Sequence, residues 1–531
     1  MSLDLALMGG TVIDGSGASA RRADVVLRDG MIADIGIIEA GPAMPVIDVT
    51  GLTVAPGFID IHSHSDYTLL VDPRAVSAVM QGVTLEIVGN CGYGCAPIIN
   101  PALASMAIYG ALQGKTLAAC STADYLERLE AARPAINVMT LVPNGQLRLG
   151  HVGVRATPAT ADELAKMKAT LRQSLDDGAA GFSTGLEYAQ ESGATMEEVT
   201  ALCRVVAEAG GLYATHTRNR DQLAVAAVAE AIDTARAAGV RLQVSHITPR
   251  TGMAATEEAI RLVERARAAG LDVAFDMHTR TFGFTHLKNI VPPWVLEGSA
   301  SAIAGRLRDP ANRAAFAKHP NLISGVGDWE RVVVVGSRKL PECNGLTLAE
   351  SGRRWNADAI QAAVRILLAE VETLLDPMVL LKTYDEDVLA ATYRHPLCMI
   401  GSDATALAPD GPLAGEVFHG AYTWASWFYR RMVRELRVLS PEEAIHRLTG
   451  LPAQTMRLAD RGVLRRGARA DIVAFDPVLF GESGTIEQPN QLAHGMRHVI
   501  VNGVHTLRDG ELTGKRGGQV LRAARKLKNQ K

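Results

Sequence analysis

The sequence predicts an α/β chain: a (β/α)8 barrel, a small β-sandwich domain built from both termini, and a subdomain inserted into the barrel. Three observations predict it. Short apolar runs alternate with amphipathic, glycine-terminated stretches through the middle of the chain. Both ends instead alternate apolar and polar residues around hairpin dipeptides. Residues 281–355 break the rhythm with a segment richer in proline and tryptophan.

The first element is the terminal β-structure, assigned to residues 1–56 and 462–520. Residues 3–14 and 24–37 alternate, with Asp29-Gly30 at a turn position. DIVAFD at 471–476 and HVIVNGVHTLRDGEL at 498–512 repeat the pattern, with turns at Asn502-Gly503 and Asp509-Gly510. Two distant segments of one kind suggest a single domain.

The barrel is assigned to residues 57–461. VTLEIVG, INVMTLV, AAGFSTG, GLYATHT, RLQVSHI, LDVAFDM and PLCMIGSD read as buried parallel strands. ATADELAKMKATLRQSLDDG, TMEEVTALCRVVAEAGG and ATEEAIRLVERARAAG read as the helices between them, each closed by glycine. The number of units favours a closed barrel over an open sheet. The insertion at 281–355 is expected to act as a lid or a subunit contact, which makes a homo-oligomer one expectation. Residues 521–531 form a basic tail, read as a solvated surface segment.

Composition excludes several classes. A chain of 531 residues with 47% hydrophobic and 21% charged residues is ordinary for a soluble enzyme, and a net charge of -3 shows no bias toward nucleic acid or anionic membranes. There is no P-loop, no dinucleotide fingerprint and no basic stripe with interleaved aromatics. MSLDLALMGGTVIDG lacks the form of a secretory signal, and no apolar run is long enough to span a bilayer. Six scattered cysteines do not make a disulfide scaffold, so the expected location is the reducing cytoplasm.

The residues that carry chemistry fall at the ends of the apolar runs. In GFIDIHSHSD, His62 and His64 are two apart and would share one face of a strand. At the C-terminal end of a barrel strand, that face looks into the mouth where barrel enzymes keep their active sites. Cys91 follows TLEIV inside GNCGYGC, and a thiolate there is a good zinc ligand; taken alone, a small buried residue in a tight turn is the plainer reading. His216 ends YATH and His246 ends QVSH; either alone reads as a core or loop histidine, but both stand at successive strand ends. Asp403 closes MIGSD and adds a carboxylate. Four histidines, one cysteine and one aspartate at five strand ends form a metal-binding constellation.

With these residues in place, the chain resembles the N-acyl-D-amino-acid deacylase (D-aminoacylase) branch of the metal-dependent amidohydrolase superfamily. The matching motifs are APGFIDIHSHSD, GNCGYGCAP, GAAGFSTGLEYA, GGLYATHTR, LQVSHI, GSDA, PEEAIHRLTGLPAQTMRL, DRGVLRRGARADIVAFDP and VIVNG, covering almost the whole chain. The resemblance implies a zinc-dependent barrel that hydrolyses an amide-type C–N bond of a small molecule. It implies that Cys91, His216 and His246 hold the tighter zinc. His62, His64 and Asp403 would line a second, weaker position that Cys91 can bridge. Most binuclear relatives bridge with a carboxylated lysine, and INVMTLVPNGQLR contains none. Asp403 would be the catalytic acid and base.

The residues expected to grip a substrate carboxylate depart from the family's pattern. The lysine of S-H-x-K is Thr248, and D-Q-Y-P-Y reads Asp276-Met277-His278-Thr279-Arg280. H-P-R reads Phe418-His419-Gly420, and G-H-G-T-L-R reads Pro143-Asn144-Gly145-Gln146-Leu147-Arg148. The expected substrate is therefore a neutral or differently charged amide, carbamate or cyclic amide. In the alternative, Arg280, His278 and His286 rebuild an anion site for an N-acyl-D-amino acid. Thr248, Tyr188, Tyr422 and Trp424 complete the candidate substrate contacts; the aromatic run from Tyr422 reads equally as a helix packed on the barrel. Retention of the whole ligand set argues against a non-catalytic scaffold.

Overall fold

The computed structural model describes residues 5–39, 44–109, 117–319, 321–373 and 377–523. Eight parallel strands form the barrel in chain order: β1 (Phe58–Asp60), β2 (Val83–Val88), β3 (Asn137–Thr140 continued by Val142–Pro143), β4 (Gly181–Gly185), β5 (Leu212–His216), β6 (Arg241–Val244), β7 (Val273–His278) and β8 (Cys398–Gly401). The first half of β3 pairs with β2 and the second half with β4. The ring closes where Ser63 bridges Ala404 in parallel and the Asp403 N–H donates to the His62 carbonyl at 2.8 Å.

The strands read as continuous apolar runs because both of their faces are buried. Alternate residues (Ile59 and Ile61, Leu85 and Ile87, Met139 and Leu141, Leu212 and Ala214) fill the lumen together with Ala274 and Met399. The opposite faces, with Phe182, Tyr213, Leu242 and Phe275, meet Leu171, Leu202, Ile232 and Val263 of the surrounding helices. Two of those helices begin at polar caps that the sequence places. Thr160 and Glu163 form a reciprocal capping box ahead of helix Ala161–Asp176, and Thr195 caps Met196–Ala209.

Segments from the N-terminal and C-terminal parts of the chain, 5–56 and 472–512, enter one nine-stranded sheet, joined where Thr53–Pro56 runs antiparallel to Ile472–Phe475. Leu7, Val25, Leu27, Val54, Ile472 and Ile500 share its core. Its hairpins turn at Asp29-Gly30, Asn502-Gly503 and Asp509-Gly510, every one of these residues at positive φ, as a two-residue turn matched to strand twist requires.

The insertion builds a three-stranded antiparallel sheet with Met378–Lys382 between Phe282–His286 and Val332–Val335. This sheet reaches past residue 355, because its central strand is contributed after the helix Ala359–Ala369. Its apolar core, including Phe284, Val334, Ile366 and Leu380, is continuous with Cys91, Tyr93, Tyr109 and Tyr188 of the barrel mouth. The insertion is thereby packed directly over that mouth. No helix among the described residues is long and apolar enough to cross a membrane. The six cysteines form no disulfide. Residues 524–531 of the basic tail lie outside the described residues.

Candidate metal centre

The six proposed ligands meet at the C-terminal end of the barrel. His216 is the last residue of β5, His246 lies two beyond β6, Cys91 three beyond β2, and Asp403 two beyond β8. His62 and His64 follow β1 rather than lying in it, since the strand ends at Asp60. The loop still brings their rings together, with centroids 5.5 Å apart.

Their donor atoms form two groups, each with all members within 4.8 Å of one another: Cys91, His216 and His246, and His62, His64, Cys91 and Asp403. Cys91 belongs to both. Its Sγ lies 3.3 Å from His246 Nε2 and 3.1 Å from His62 Nε2. Asp403 Oδ1 lies 3.1 Å from His64 Nε2 and 3.6 Å from His62 Nε2. Ligands about 2.0–2.3 Å from one tetrahedral zinc lie roughly 3.3–3.8 Å from each other, so these separations suit a shared ion.

Other observations point to a metal. The Nδ1 atom of His216 is buried without a hydrogen-bond partner among the described residues, a costly state that a ligand there relieves. Cys91, His246 and Asp403 all adopt positive φ, at 53°, 34° and 46°. That conformation costs about 1–3 kcal/mol for such residues and concentrates at functional sites. Burial pushes the Cys91 thiol up to about 11 and the His216 imidazole down to about 4. A neutral imidazole is already the ligand form, whereas a thiolate here needs a cation beside it. One thiolate with two imidazoles is a donor set that zinc takes, with a position left for a reacting molecule.

Asp403 is the open edge of the centre, with 19% of its side chain exposed against 2% for His64. Burial opposes its charge, but the hydrogen bond with His64 and the guanidinium of Arg280 hold it well below the usual carboxylate range.

The reading by strand ends missed the groups that orient these ligands. Glu187, two beyond β4, accepts from His216 Nε2 at 2.8 Å, which leaves Nδ1 for a metal. Arg250 binds both Glu187 oxygens at 2.6 Å, and its Nε lies 3.3 Å from Asp221. Burial resists the Glu187 charge, but Arg250 and His216 overcome it and hold the carboxyl at about 2. Asp276 accepts from His62 Nδ1 at 3.0 Å and from the His246 N–H at 2.9 Å. Glu187 was discoverable as a carboxylate just past a strand end; Arg250 carried no signal. Glu187→Gln is expected to loosen zinc by roughly 10–100-fold, the usual effect of losing a ligand's orienting partner. Competition with a chromogenic chelator measures this, and unchanged affinity would remove Glu187 from the centre.

The candidate substrate residues are placed unevenly. The Tyr188 ring lies 4.6 Å from His216. His286 stacks on Tyr109 at 4.8 Å, and Tyr109 in turn lies 4.7 Å from His64. His278 ends β7 with its ring 6.4 Å from His246. Arg280 is bonded to Asp403. Thr248 is buried with its hydroxyl 3.0 Å from that of Thr392. Trp424 sits in the barrel core, and Tyr422 is buried in the core of the insertion.

The amidohydrolase family pattern matches residues 45–318 and 361–506. N-acyl-D-glutamate deacylase from Alcaligenes xylosoxydans xylosoxydans is 35% identical over 507 residues, covering 94% of this chain and 93% of the relative. The structure of N-acyl-D-glutamate deacylase from Bordetella bronchiseptica, complexed with zinc and a phosphonate mimic of the tetrahedral intermediate, superposes with a TM-score of 0.82. It is 33% identical, over 98% of this chain and 100% of that one. A D-aminoacylase structure, described for one-metal activation and second-metal attenuation of a binuclear centre, gives a TM-score of 0.81 at 30% identity over 98% and 100% of the two chains. The chain belongs to the amidohydrolase family, hydrolases of carbon–nitrogen bonds other than peptide bonds, and within it to the D-aminoacylase branch.

Proposed function

We propose that this chain uses one zinc ion, held by Cys91, His216 and His246, to hydrolyse an amide-type C–N bond in a small molecule that lacks a free α-carboxylate. The observation that carries the hydrolytic reading is the convergence of these three donors beside an ionised, partly open Asp403. A zinc in this position supplies Lewis acidity to polarise a carbonyl and makes water nucleophilic at neutral pH. The protein's own groups do the rest. Asp403 accepts the proton of the attacking water and returns it to the departing nitrogen, which without it is a poor leaving group. Glu187 holds the His216 imidazole in orientation, and Asp276 holds the His62 imidazole and the His246 backbone. The insertion packed over the mouth limits the entry of bulk water.

The substrate class is supported by where the cations go. Arg220 donates to the carbonyls of His246 and Thr248 at 2.6 and 3.1 Å, Arg250 is taken by Glu187 and Asp221, and Arg280 by Asp403. Thr248 stands where the family's pattern has lysine. A cavity of about 420 Å³ bounded by Tyr109 and His286 has a mixed wall, with Phe284, Leu413 and Phe418 beside Asn344, Thr405 and Glu416. Arg338 on its rim pairs with Glu416 at 3.3 Å.

A second reading, an N-acyl-D-amino-acid deacylase with a carboxylate site rebuilt from His278, Arg280 and His286, is favoured by the 35% identity to an N-acyl-D-glutamate deacylase and by His286, which borders the cavity beside Tyr109. Steady-state kinetics on N-acetyl-D-glutamate, N-acetyl-D-leucine and uncharged acetanilides separate the two. Each missing charge-assisted bond removes about 1.5–3 kcal/mol, so kcat/KM is expected to favour the anilides by at least roughly tenfold. A strong preference for the N-acetyl-D-amino acids overturns the neutral-substrate reading in favour of the second.

A further inference from the structure

We infer that Arg280 takes the place of a second metal ion: its guanidinium neutralises Asp403 and keeps the His62–His64–Cys91–Asp403 position from binding zinc tightly, so that the centre works with one ion. The inference rests on the reading of the metal centre given above and concerns a residue outside its ligand set.

The guanidinium is fixed on several sides. Nη1 donates to the carbonyls of Ser402 and His419 at 2.7 and 2.9 Å, and Nη2 donates to the carbonyl and Oδ2 of Asp403 at 3.0 and 2.9 Å. Its side chain is only 4% exposed, so it has no solvent to withdraw into. The other Asp403 oxygen faces His64 and His62. A zinc bound to His62, His64, Cys91 and Asp403 would therefore share one carboxylate with a permanent cation in a nearly dry site. Arginine does not shed its proton to relieve the repulsion, and low polarisability around the pair strengthens it.

Two departures from the family's pattern, 140 residues apart in the sequence, turn out to be one structural event. Arg280 stands at the fifth position of the run written D-Q-Y-P-Y, and Gly420 at the third position of H-P-R. Gly420 has φ +103°, and a Cβ at this position would collide with Arg280 Nη1. Arginine is thus lost at position 420 and gained at position 280, and the missing Cβ at Gly420 leaves the room that the Arg280 guanidinium fills beside Asp403. The pocket is thus cut to hold Arg280 against Asp403. The D-aminoacylase relative is described for second-metal attenuation; here a fixed guanidinium stands against the carboxylate that a second metal would need.

The test is zinc titration of metal-freed, full-length protein by calorimetry, with equilibrium dialysis to count bound ions. The native protein is expected to bind one zinc per chain tightly and a second at least a hundredfold more weakly. Arg280→Gln is expected to tighten the second zinc at least tenfold and leave the first unchanged, and Arg280→Lys to restore the native pattern. Two zincs of comparable affinity in the native protein overturn the inference, as does an unchanged second affinity in a folded Arg280→Gln. Arg280→Met, which keeps much of the side-chain volume without the charge, carries the same test should Arg280→Gln not fold, and an unchanged second affinity in it equally overturns the inference. Absence of any bound zinc overturns the metal-centre reading and this inference with it, whereas two equal zincs overturn this inference alone.

Discussion

Asp403→Asn is expected to retain the zinc of Cys91, His216 and His246 and to lose on the order of 10²–10⁴-fold in kcat, the range for removing a general acid–base group. The asparagine keeps the shape of the carboxylate and can still accept a hydrogen bond from His64, which lies 3.1 Å from Asp403 Oδ1. It cannot take a proton from water or deliver one to a leaving nitrogen. Asp403 is not among the three donors gathered around Cys91, His216 and His246, so its loss leaves that set whole. A fall in kcat with zinc content and KM nearly unchanged is the signature of a group that acts during reaction rather than in binding. Zinc analysis and single-turnover kinetics on the same preparation read both quantities. Near-normal turnover in Asp403→Asn would take the proton-transfer role away from this residue.

Much of this architecture was legible because its causes are local. Asp29-Gly30 and Asn502-Gly503 announce hairpins because only a few residue types tolerate the positive φ that such turns demand. VTLEIV and VAFDMH announce buried parallel strands because every one of their residues is buried. The convergence of the candidate ligands was legible because His216, His246, Cys91 and Asp403 each close an apolar run, and the ends of parallel strands converge by the geometry of a barrel. Relations between units were not legible. Glu187 and Arg250 follow different strands and look like ordinary surface charges until the barrel closes and joins them at 2.6 Å. The pairing of Arg280 with Asp403 spans 123 residues. Met378–Lys382 is an apolar run like the barrel strands, and only pairing shows that it belongs to the antiparallel sheet of the insertion. Trp424 and Tyr422 illustrate the opposite hazard, since aromatic residues near a site in sequence are here buried in two different cores.

Cys91 carries the largest consequence for the metal. Its Sγ is within reach of both donor groups, and it is the thiol they share. Alanine at this position would remove one of the three proposed donors and leave His216 and His246 as a pair, which binds zinc far more weakly than three donors do. It also leaves His62 Nε2 and His246 Nε2 without the sulfur they face, in a pocket already holding unpartnered ring nitrogens. Cys91→Ala is therefore expected to lose tightly bound zinc and, with it, essentially all amide hydrolysis, while the barrel strands around it stay packed by their own apolar residues. The most direct test is the zinc content of native protein and Cys91→Ala after exhaustive dialysis, measured side by side by plasma mass spectrometry on folded samples. About one zinc per native chain and almost none in the variant is the expected result. Native protein that hydrolyses amides with no zinc, or a Cys91→Ala that retains its full complement, would contradict the account.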